Sequence, residues 1–267
     1  MKYFLKTLIV VLTVSIICCM AYVGYYFYQY SKTDAAFNEI ENTYVTDDEE
    51  EETKTDSSST VSSKSKKAKV DIEALKKKYP AASGYIYQKN VLSYPIMQCD
   101  NNDYYLKHLP DGSSSISGSI FFEKSTTTDS RAILVFGHNM RNGAMFGCLK
   151  KFRDKDFFKK HKKFQLYIGR NSFEANAFCV FNTNAYSYVY DYFGANDKGL
   201  SFDDFVVKIK SAATCVNEDY VPGANDGLVL LSTCTNGDGR LVVALSIKDY
   251  VDVIENAGEM KYLYELN

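Results

Sequence analysis

The segment LVLLSTCTNGDGRLVVALSI, residues 228–247, contains two apolar runs on either side of a short loop of Asn, Asp and Gly. The runs, Leu228–Leu231 and Leu241–Ile247, include β-branched residues, and the pattern predicts two strands joined by a turn. Cys234 comes where the first strand ends, and Arg240 where the second begins. Because strands hold side chains more rigidly than loops do, the pattern places a thiol and a guanidinium near each other on a fixed frame.

A histidine at the end of another predicted strand is the third candidate. Among the three histidines of the chain, His138 follows the apolar run Ala132–Phe136 through Gly137. A side chain at such a strand end can point into a cleft. His108 lies in a polar turn and His161 in a lysine-rich patch. We therefore select His138 as the partner of the cysteine.

Cysteine, histidine and arginine together suit acyl transfer through a thioester. The thiolate is the attacking form of cysteine, and positive neighbours raise its fraction at neutral pH. A histidine can protonate a leaving amine and later take a proton from the incoming nucleophile. An arginine stays charged and can donate to a carbonyl oxygen on which negative charge develops.

The cysteines are open to a second interpretation, because a free cysteine is often a small buried hydrophobe. On the residues alone, Cys234 fits that role as well as it fits a nucleophile. The buried role is the one we assign to the other four cysteines outside the N-terminal segment: Cys99, Cys148, Cys179 and Cys215.

Composition excludes several classes of function. The formal net charge of −2 over 267 residues gives no basic excess for a nucleic-acid partner. The seven cysteines show no CxxC or Cys/His ligand spacing, so we predict no metal site and no cofactor.

The N-terminus predicts a membrane anchor. Lys2 and Lys6 precede Leu8–Tyr28, which has no charged residue and is close to the ~20 residues that span a bilayer. The segment lacks an A-x-A-like cleavage site, and the tyrosines near its end suit a membrane interface. We expect residues 1–30 to form a single-pass anchor in the cell membrane, with a cytoplasmic N-terminus and an extracellular remainder.

The rest of the chain divides into a polar segment and a folded domain. Residues 31–69 contain runs of acids, serines and lysines, which predicts a disordered stalk. Residues 70–267 carry the pattern of many short strands with a few inserted helices, which indicates a mainly β fold, a barrel or a sandwich. The strands are expected at 83–88, 91–98, 117–122, 132–136, 164–168 and 172–182, and helices at 72–79, 144–152, 154–160, 201–215 and within 249–267.

Several motifs resemble one family of enzymes. LSTC at 231–234, with Arg240 on the next strand, looks like the signature of the sortases, the Gram-positive cysteine transpeptidases. FGHNM at 136–140 and GAMFG at 143–147 are similar to the histidine region of class B sortases. The resemblance extends from Val70 to Lys248 in the expected order, and four further motifs agree: SGYI at 83–86, YPIMQ at 94–98, DNNDYYL at 100–106 and GSIFF at 118–122.

The resemblance implies a fold and an activity. The fold is an eight-stranded β-barrel with an N-terminal helical addition and a helix between the sixth and seventh strands. Cys234 would attack a Thr–Gly or Thr–Asn bond in a C-terminal sorting signal of surface proteins. His138 would be the general acid and base, and Arg240 would stabilise the oxyanion. The acyl group would pass to an amine of a peptidoglycan cross-bridge.

Four neighbours of these residues are candidates for substrate binding: Asn139, Met145, Ser232 and Thr233. The chain also departs from the family pattern at three points. It has Leu230 where Thr is frequent, Tyr85 where Trp is common, and a short loop at 235–239. Because that loop borders the substrate groove in the family, the substrate preference stays open.

Two other functions compete with transpeptidation. The first is a secreted cysteine peptidase that hydrolyses its acyl-enzyme. Papain-like enzymes place Cys before His, and caspase-like enzymes place His about 50 residues upstream of a different cysteine motif, so neither pattern fits. The second is a surface binding module in which Cys234 is inert.

Overall fold

Eight strands close into a barrel in the computed structural model of the chain, which describes residues 1–47, 68–127, 129–193 and 199–256. The strands are β1 Val45–Asp47, β2 Ala68–Val70, β3 Ala82–Gln88, β4 Leu92–Met97, β5 Ile120–Phe122, β6 Ala132–Phe136, β7 Lys163–Ile168, β8 Asn171–Asn184, β9 Ala213–Val216, β10 Gly227–Cys234 and β11 Gly239–Ile247. The helices are α1 Lys2–Tyr44, α2 Ile72–Lys78, α3 Lys155–Lys160, α4 Tyr188–Phe193, α5 Phe202–Ser211 and α6 Tyr250–Asn256, with short 3₁₀ segments at 104–106, 146–153 and 218–220.

The order of the strands around the sheet confirms the predicted fold class. The sheet runs β11-β10-β6-β5-β4-β3-β7-β8-β9, and an additional pairing of β11 with β8 closes the ring. With β9 outside the ring on the edge of β8, eight of the nine strands form the barrel. In chain order, the sixth and seventh of these eight are β8 and β10, and α5 lies between them, as predicted.

Strand β10 is paired along both edges and buried on both faces. It pairs with β11 on one side and with β6 on the other. Val229 and Leu231 belong to the core that fills the barrel, while Leu228 and Leu230 belong to an outer cluster with residues of α4 and α5. A continuous apolar run is the expected pattern for a strand buried on both sides.

Helix α5 is shorter than the sequence predicted. Ser201 caps it by accepting a hydrogen bond from the Asp204 amide at 3.1 Å, and the helix ends at Ser211. The predicted end at Cys215 is therefore wrong, because Ala213–Val216 forms β9 and pairs with β8. The run of Thr, Cys and Val in this segment favours a strand over a helix.

Helix α1 continues through residues that the sequence predicted as stalk. Thr33, Phe37 and Ile40 lie at helical spacing and are buried against the barrel. Three residues on one face are enough to pack the helix, although its other residues there are mostly polar. Residues 45–47 and 68–70 then pair as β1 and β2. Residues 48–67 of the predicted stalk lie outside the described residues.

The first part of α1 is exposed along its whole length, and it is long and apolar enough to cross a membrane. At the other end of the chain, α6 covers residues 250–256 of the segment predicted as a last helix. Residues 257–267 of that segment lie outside the described part of the chain.

Candidate active site

Cys234 lies at the rim of the barrel, where β10 ends. The seven residues before it are buried, and Cys234 is exposed. A tight turn follows, in which the Thr235 amide donates to the Gly239 carbonyl at 2.8 Å and Gly237 has a φ of 58°. A positive φ is a conformation that glycine adopts without strain, so the turn can return the chain directly into β11.

The turn brings Arg240 directly opposite Cys234. The two residues are register partners in the antiparallel pair of β10 and β11. Side chains of such partners leave the same face, with Cβ atoms roughly 5 Å apart. One guanidinium nitrogen of Arg240 donates to the Gly239 carbonyl at 2.9 Å. Within the described residues the guanidinium has no carboxylate partner, so donors remain available on a half-buried cation.

His138 lies on the other side of Cys234, because β6 runs parallel to β10. The register ends with Ser232 opposite Phe136, and two further positions along both chains bring Cys234 beside His138. The pairing continues past the strand ends: the Gly137 amide donates to the Ser232 carbonyl at 3.2 Å. The three predicted catalytic residues therefore occupy neighbouring strand ends at one rim.

A backbone carbonyl fixes the tautomer of His138. Nε2 of the ring lies 2.8 Å from the Leu106 carbonyl oxygen. A carbonyl only accepts hydrogen bonds, so Nε2 carries the proton in the neutral ring and Nδ1 is left as the acceptor. Cys234 is exposed, and among the described residues its sulfur forms no hydrogen bond. The sulfur is therefore accessible to a substrate.

Gly137 is required by the packing beneath the histidine. A Cβ atom at this position would lie 2.7 Å from the ring of Phe146. The amide of Phe146 also donates to the carbonyl of His138 at 3.0 Å. Any larger residue at 137 would displace the segment that holds His138.

Asn139 and Met145 support the same rim. The side-chain amide of Asn139 donates to the backbone carbonyl of Cys234 at 2.7 Å. Asn139 and Met145 also form an isolated β-bridge, and Met145 is completely buried with a φ of 50°. Of the four predicted substrate-binding residues, Asn139 therefore bonds the backbone of Cys234. Met145 is buried and supports Asn139 through the β-bridge.

The burial of Ser232 and Thr233 does not fit the prediction that they contact substrate. Both are about 2% exposed or less. The hydroxyl of Thr233 donates to the Gly137 carbonyl at 2.7 Å, and the hydroxyl of Ser232 lies 2.7 Å from that of Tyr190. Since both hydroxyls are enclosed and paired, these residues fix the strand ends instead of lining a groove.

Tyr190 and Leu106 are site residues that the sequence did not indicate. Tyr190, on α4, packs beside the rim, and its pKa is raised by burial, while the hydrogen bond with Ser232 and the positive charge of Arg240 act to lower it. The tyrosine-rich run AYSYVYDYF at 185–193 is the one signal in the sequence that points to this helix. Leu106 acts through its backbone carbonyl, which no side-chain pattern reveals.

The other cysteines are poorly suited to attack a substrate. Burial raises the pKa of Cys148 to about 11 and raises that of Cys179 as well. Burial also raises the pKa of the half-buried Cys99. Because the thiolate is the reactive form, a raised pKa lowers the reactivity of these three thiols at neutral pH, whereas Cys234 is exposed.

The remaining histidines lie elsewhere. His108 stacks on Tyr104 with ring centroids 4.0 Å apart, and His161 stacks on Phe157 at 4.1 Å. Across residues 1–47, 68–127, 129–193 and 199–256, no group of three or more His, Cys, Asp and Glu residues is arranged to hold a metal ion. The rim itself combines a nucleophile, a base and a cation, which is the set that attack on an acyl group requires.

Comparison with known proteins gives relatives of one kind. Sortase B of Listeria monocytogenes is 33% identical over 159 residues, which is 57% of this chain and 63% of the relative. Sortase B of Staphylococcus aureus is 24% identical over 163 residues, 58% of this chain and 65% of the relative. The chain thus spans just under two thirds of the length of the curated relatives it matches. No family model matches it.

Solved structures extend the similarity over more of the chain. Sortase B from Bacillus anthracis, in complex with AAEK1, superposes with a TM-score of 0.66 at 27% identity and covers 83% of this chain and 98% of that one. A Streptococcus pyogenes class B sortase involved in pilus biogenesis gives a TM-score of 0.59 at 28% identity, covering 67% of this chain and 98% of that one. In sequence and in fold, the chain is similar to class B sortases.

Proposed function

We propose that this protein is a membrane-anchored cysteine transpeptidase. It cleaves a C-terminal sorting signal of surface proteins and transfers the acyl part to an amine. The observation that carries the proposal is the strand register that brings Cys234, His138 and Arg240 to adjacent ends of β10, β6 and β11. The similarity to class B sortases supports the same reaction.

The first half of the reaction forms a thioester. The sulfur of Cys234, as thiolate, attacks the carbonyl carbon of the scissile peptide bond, and the guanidinium of Arg240 donates to the oxygen on which charge develops. The tetrahedral intermediate collapses by breaking the C–N bond. Nδ1 of His138, which has taken the proton of the Cys234 thiol, gives that proton to the leaving amine, and Nε2 stays hydrogen-bonded to the Leu106 carbonyl.

The second half transfers the acyl group. The acceptor amine attacks the thioester carbonyl and gives a proton to Nδ1 of His138, and the C–S bond breaks to regenerate the thiolate. An exposed nucleophile at the barrel rim leaves room for two macromolecular substrates in turn. Both halves use the same three groups, and neither requires a cofactor.

The first part of α1 supports location in the cell membrane. Lys2 and Lys6 precede an exposed apolar stretch long enough to cross a bilayer. Lysines on that side favour a cytoplasmic N-terminus, and that orientation would leave the barrel on the outer surface. That location brings the candidate site to the two partners we propose, surface proteins with a sorting motif and the amine of a peptidoglycan cross-bridge.

The test uses the full chain in detergent with a panel of quenched peptides bearing sorting-like signals. Each peptide is incubated without an amine, with triglycine, and with a lysine-bearing peptide. The lysine-bearing peptide is included because one similar class B sortase is involved in pilus biogenesis. Cys234→Ala is the test variant, and Cys99→Ala is the matched control, since Cys99 is the other partly exposed thiol of the barrel.

Ligated product that requires both an amine and Cys234 supports transpeptidation, and the reactive peptide reveals the signal. Cleavage that depends on Cys234 but yields no ligated product with any amine supports the hydrolase alternative. If no peptide is cleaved and Cys234 reacts with alkylators like a model thiol, a binding module is the better account.

A further inference from the structure

Tyr94 on β4 makes two contacts that join distant parts of the chain. The rings of Phe37, on α1, and Tyr94 pack in a T-shaped arrangement, with centroids 5.2 Å apart and planes at 78°. The hydroxyl of Tyr94 accepts a hydrogen bond from the backbone amide of Met145 at 3.1 Å. One side chain thus touches both the anchor helix and the segment that supports the candidate nucleophile.

The segment held by Tyr94 contacts both neighbouring strand ends. Met145 forms a β-bridge with Asn139, whose side chain donates to the Cys234 carbonyl at 2.7 Å. The next amide, that of Phe146, donates to the His138 carbonyl at 3.0 Å. A shift of the backbone at 145 would therefore reach the backbones of both Cys234 and His138.

Met145 depends on an outside partner to stay where it is. Its φ of 50° is uncommon for a residue with a Cβ atom, and such conformations persist when the surroundings enforce them. The residue is fully buried, so its amide would have no water to bond if the Tyr94 hydroxyl were absent. Burial raises the pKa of Tyr94 to about 12, which keeps the hydroxyl protonated over the working range.

We infer that Tyr94 is a positioning residue that couples the packing of α1 to the geometry of Cys234 and His138. This inference rests on the proposed transpeptidation for its effect on turnover, but not for its effect on the structure of the rim. It gives the segment of α1 beyond the apolar stretch a second role. Besides tethering the barrel, α1 stabilises the arrangement of the site through Phe37.

The first test compares two tyrosines that differ in what their hydroxyls hold. Tyr94→Phe removes the hydrogen bond to Met145 and keeps the ring against Phe37. Tyr85→Phe is the matched control, because Tyr85 is a buried tyrosine on the neighbouring strand β3 and its hydroxyl bonds Ser93, at 2.8 Å, instead of the Met145 segment. In the full chain, we expect Tyr94→Phe to lower kcat roughly tenfold with little change in KM, and Tyr85→Phe to change neither.

Two readouts separate positioning from general loosening. Hydrogen exchange read by mass spectrometry should accelerate in residues 139–147 of the Tyr94→Phe variant and not in the Tyr85→Phe variant. The alkylation rate of Cys234, read on its own peptide, should change in the first variant alone. Unaltered exchange in 139–147, or altered exchange with unaltered kcat and alkylation, would overturn the assignment.

The second test addresses the anchor helix. Phe37→Leu keeps an apolar side chain and removes the aromatic edge, so we expect a two- to threefold loss of kcat, roughly the effect of one weak aromatic contact. Thr33→Val is the control on the same helix, since the Thr33 hydroxyl bonds Ser115 instead of Tyr94. Coupling through Tyr94 predicts that the double variant Phe37→Leu, Tyr94→Phe loses no more than Tyr94→Phe alone.

Additive losses in the double variant would separate α1 from Tyr94 and overturn the coupling. If the unmodified chain cleaves no peptide, the proposed function fails, yet hydrogen exchange and Cys234 alkylation still decide whether Tyr94 positions the rim. The two failures are therefore distinguishable.

Discussion

The hairpin of β10 and β11 has two ends that differ in how their polar groups are used. At the end that carries Cys234 and Arg240, the thiol is exposed and the guanidinium has no carboxylate partner among the described residues. At the opposite end, beside Gly227, the carboxylate of Asp226 is buried and hydrogen-bonded. The same two strands therefore carry the candidate active site at one end, named the reactive rim below, and a closed end with paired polar groups.

The closed end is organised around Asp226. Its carboxylate accepts hydrogen bonds from the Lys248 ammonium at 2.6 Å, the Gly223 amide at 2.7 Å and the Asp249 amide at 3.1 Å. Its backbone carbonyl accepts from Arg131 at 3.0 Å. Five per cent of Asp226 is exposed, so almost all of its hydrogen-bonding capacity is met by the protein.

The two ends differ because a site that acts on a substrate leaves some of its polar groups without protein partners. Groups that must act on a substrate keep donors and lone pairs free, and other contacts have to hold them in place. At the reactive rim those contacts come from Asn139, Tyr190 and the Leu106 carbonyl. At the closed end the paired groups themselves provide the stability. The expected consequence is that substitutions at the two ends affect different measurements.

The largest effect should come from Cys234→Ala. Turnover of a reactive peptide should fall by roughly 10⁴-fold or more, because covalent catalysis has no other nucleophile at the rim. The free energy of unfolding in urea should stay within about 0.5 kcal/mol of the unmodified chain, since the side chain is exposed. A large loss of stability would show that the Cys234 side chain also stabilises the fold, and it would contradict the proposed difference between the two ends.

Arg240 should come next. Arg240→Ala should lower turnover by about 10²-fold, the usual loss when one group that stabilises an oxyanion is removed. Arg240→Lys should recover only part of it, because an ammonium lacks the planar fork of the guanidinium. Steady-state kinetics of the two variants provide the measurement. Full activity of the lysine variant would remove the geometric part of the argument and leave charge alone.

The closed end should respond in the opposite way. Asp226→Asn should lower the free energy of unfolding by about 2 kcal/mol, because the charge that pairs with Lys248 and two backbone amides is lost. Turnover should be unchanged. Asp238→Asn is the matched control, since Asp238 is exposed in the turn beside the reactive rim. Equal stability of the two variants in urea titrations would contradict the assigned role of Asp226.

The smallest effect is the pH dependence of that difference. Burial alone would raise the pKa of Asp226, but the hydrogen bonds and charge of Lys248, with the Gly223 and Asp249 amides, lower it below its usual range. A depressed folded pKa means that the contribution is complete above the unfolded value, about 3.9, and is lost as pH falls through the folded value.

Urea titrations of the unmodified chain and of Asp226→Asn should therefore show a constant difference from pH 7 down to about pH 5, and a shrinking one below about pH 4. A difference that stays the same in acid would mean that the charge of Asp226 does not provide the stability.

Much of the fold and the site follows from local sequence, and the exceptions have a common cause. The apolar runs at 132–136 and 228–247 predicted β6, β10 and β11 closely, because strands buried on both faces must be apolar. The predicted helix at 201–215 was too long because pairing with β8 overrides helical periodicity after Ser211. In α1, three buried residues among polar neighbours gave a pattern too sparse to predict packing.

By itself, the sequence indicated the candidate residues for the chemistry and the strands that end at them, because a motif and an apolar run are local properties of the chain. Only the tertiary structure decided what holds those residues. The Leu106 carbonyl lies 32 residues from His138, the Tyr190 hydroxyl 42 residues from Ser232, and the Tyr94 hydroxyl 51 residues from Met145. Contacts of that kind form when the barrel closes. All three join residues far apart in the chain, and in two of them one partner is a backbone group that every residue possesses, so no local pattern of side chains predicts them.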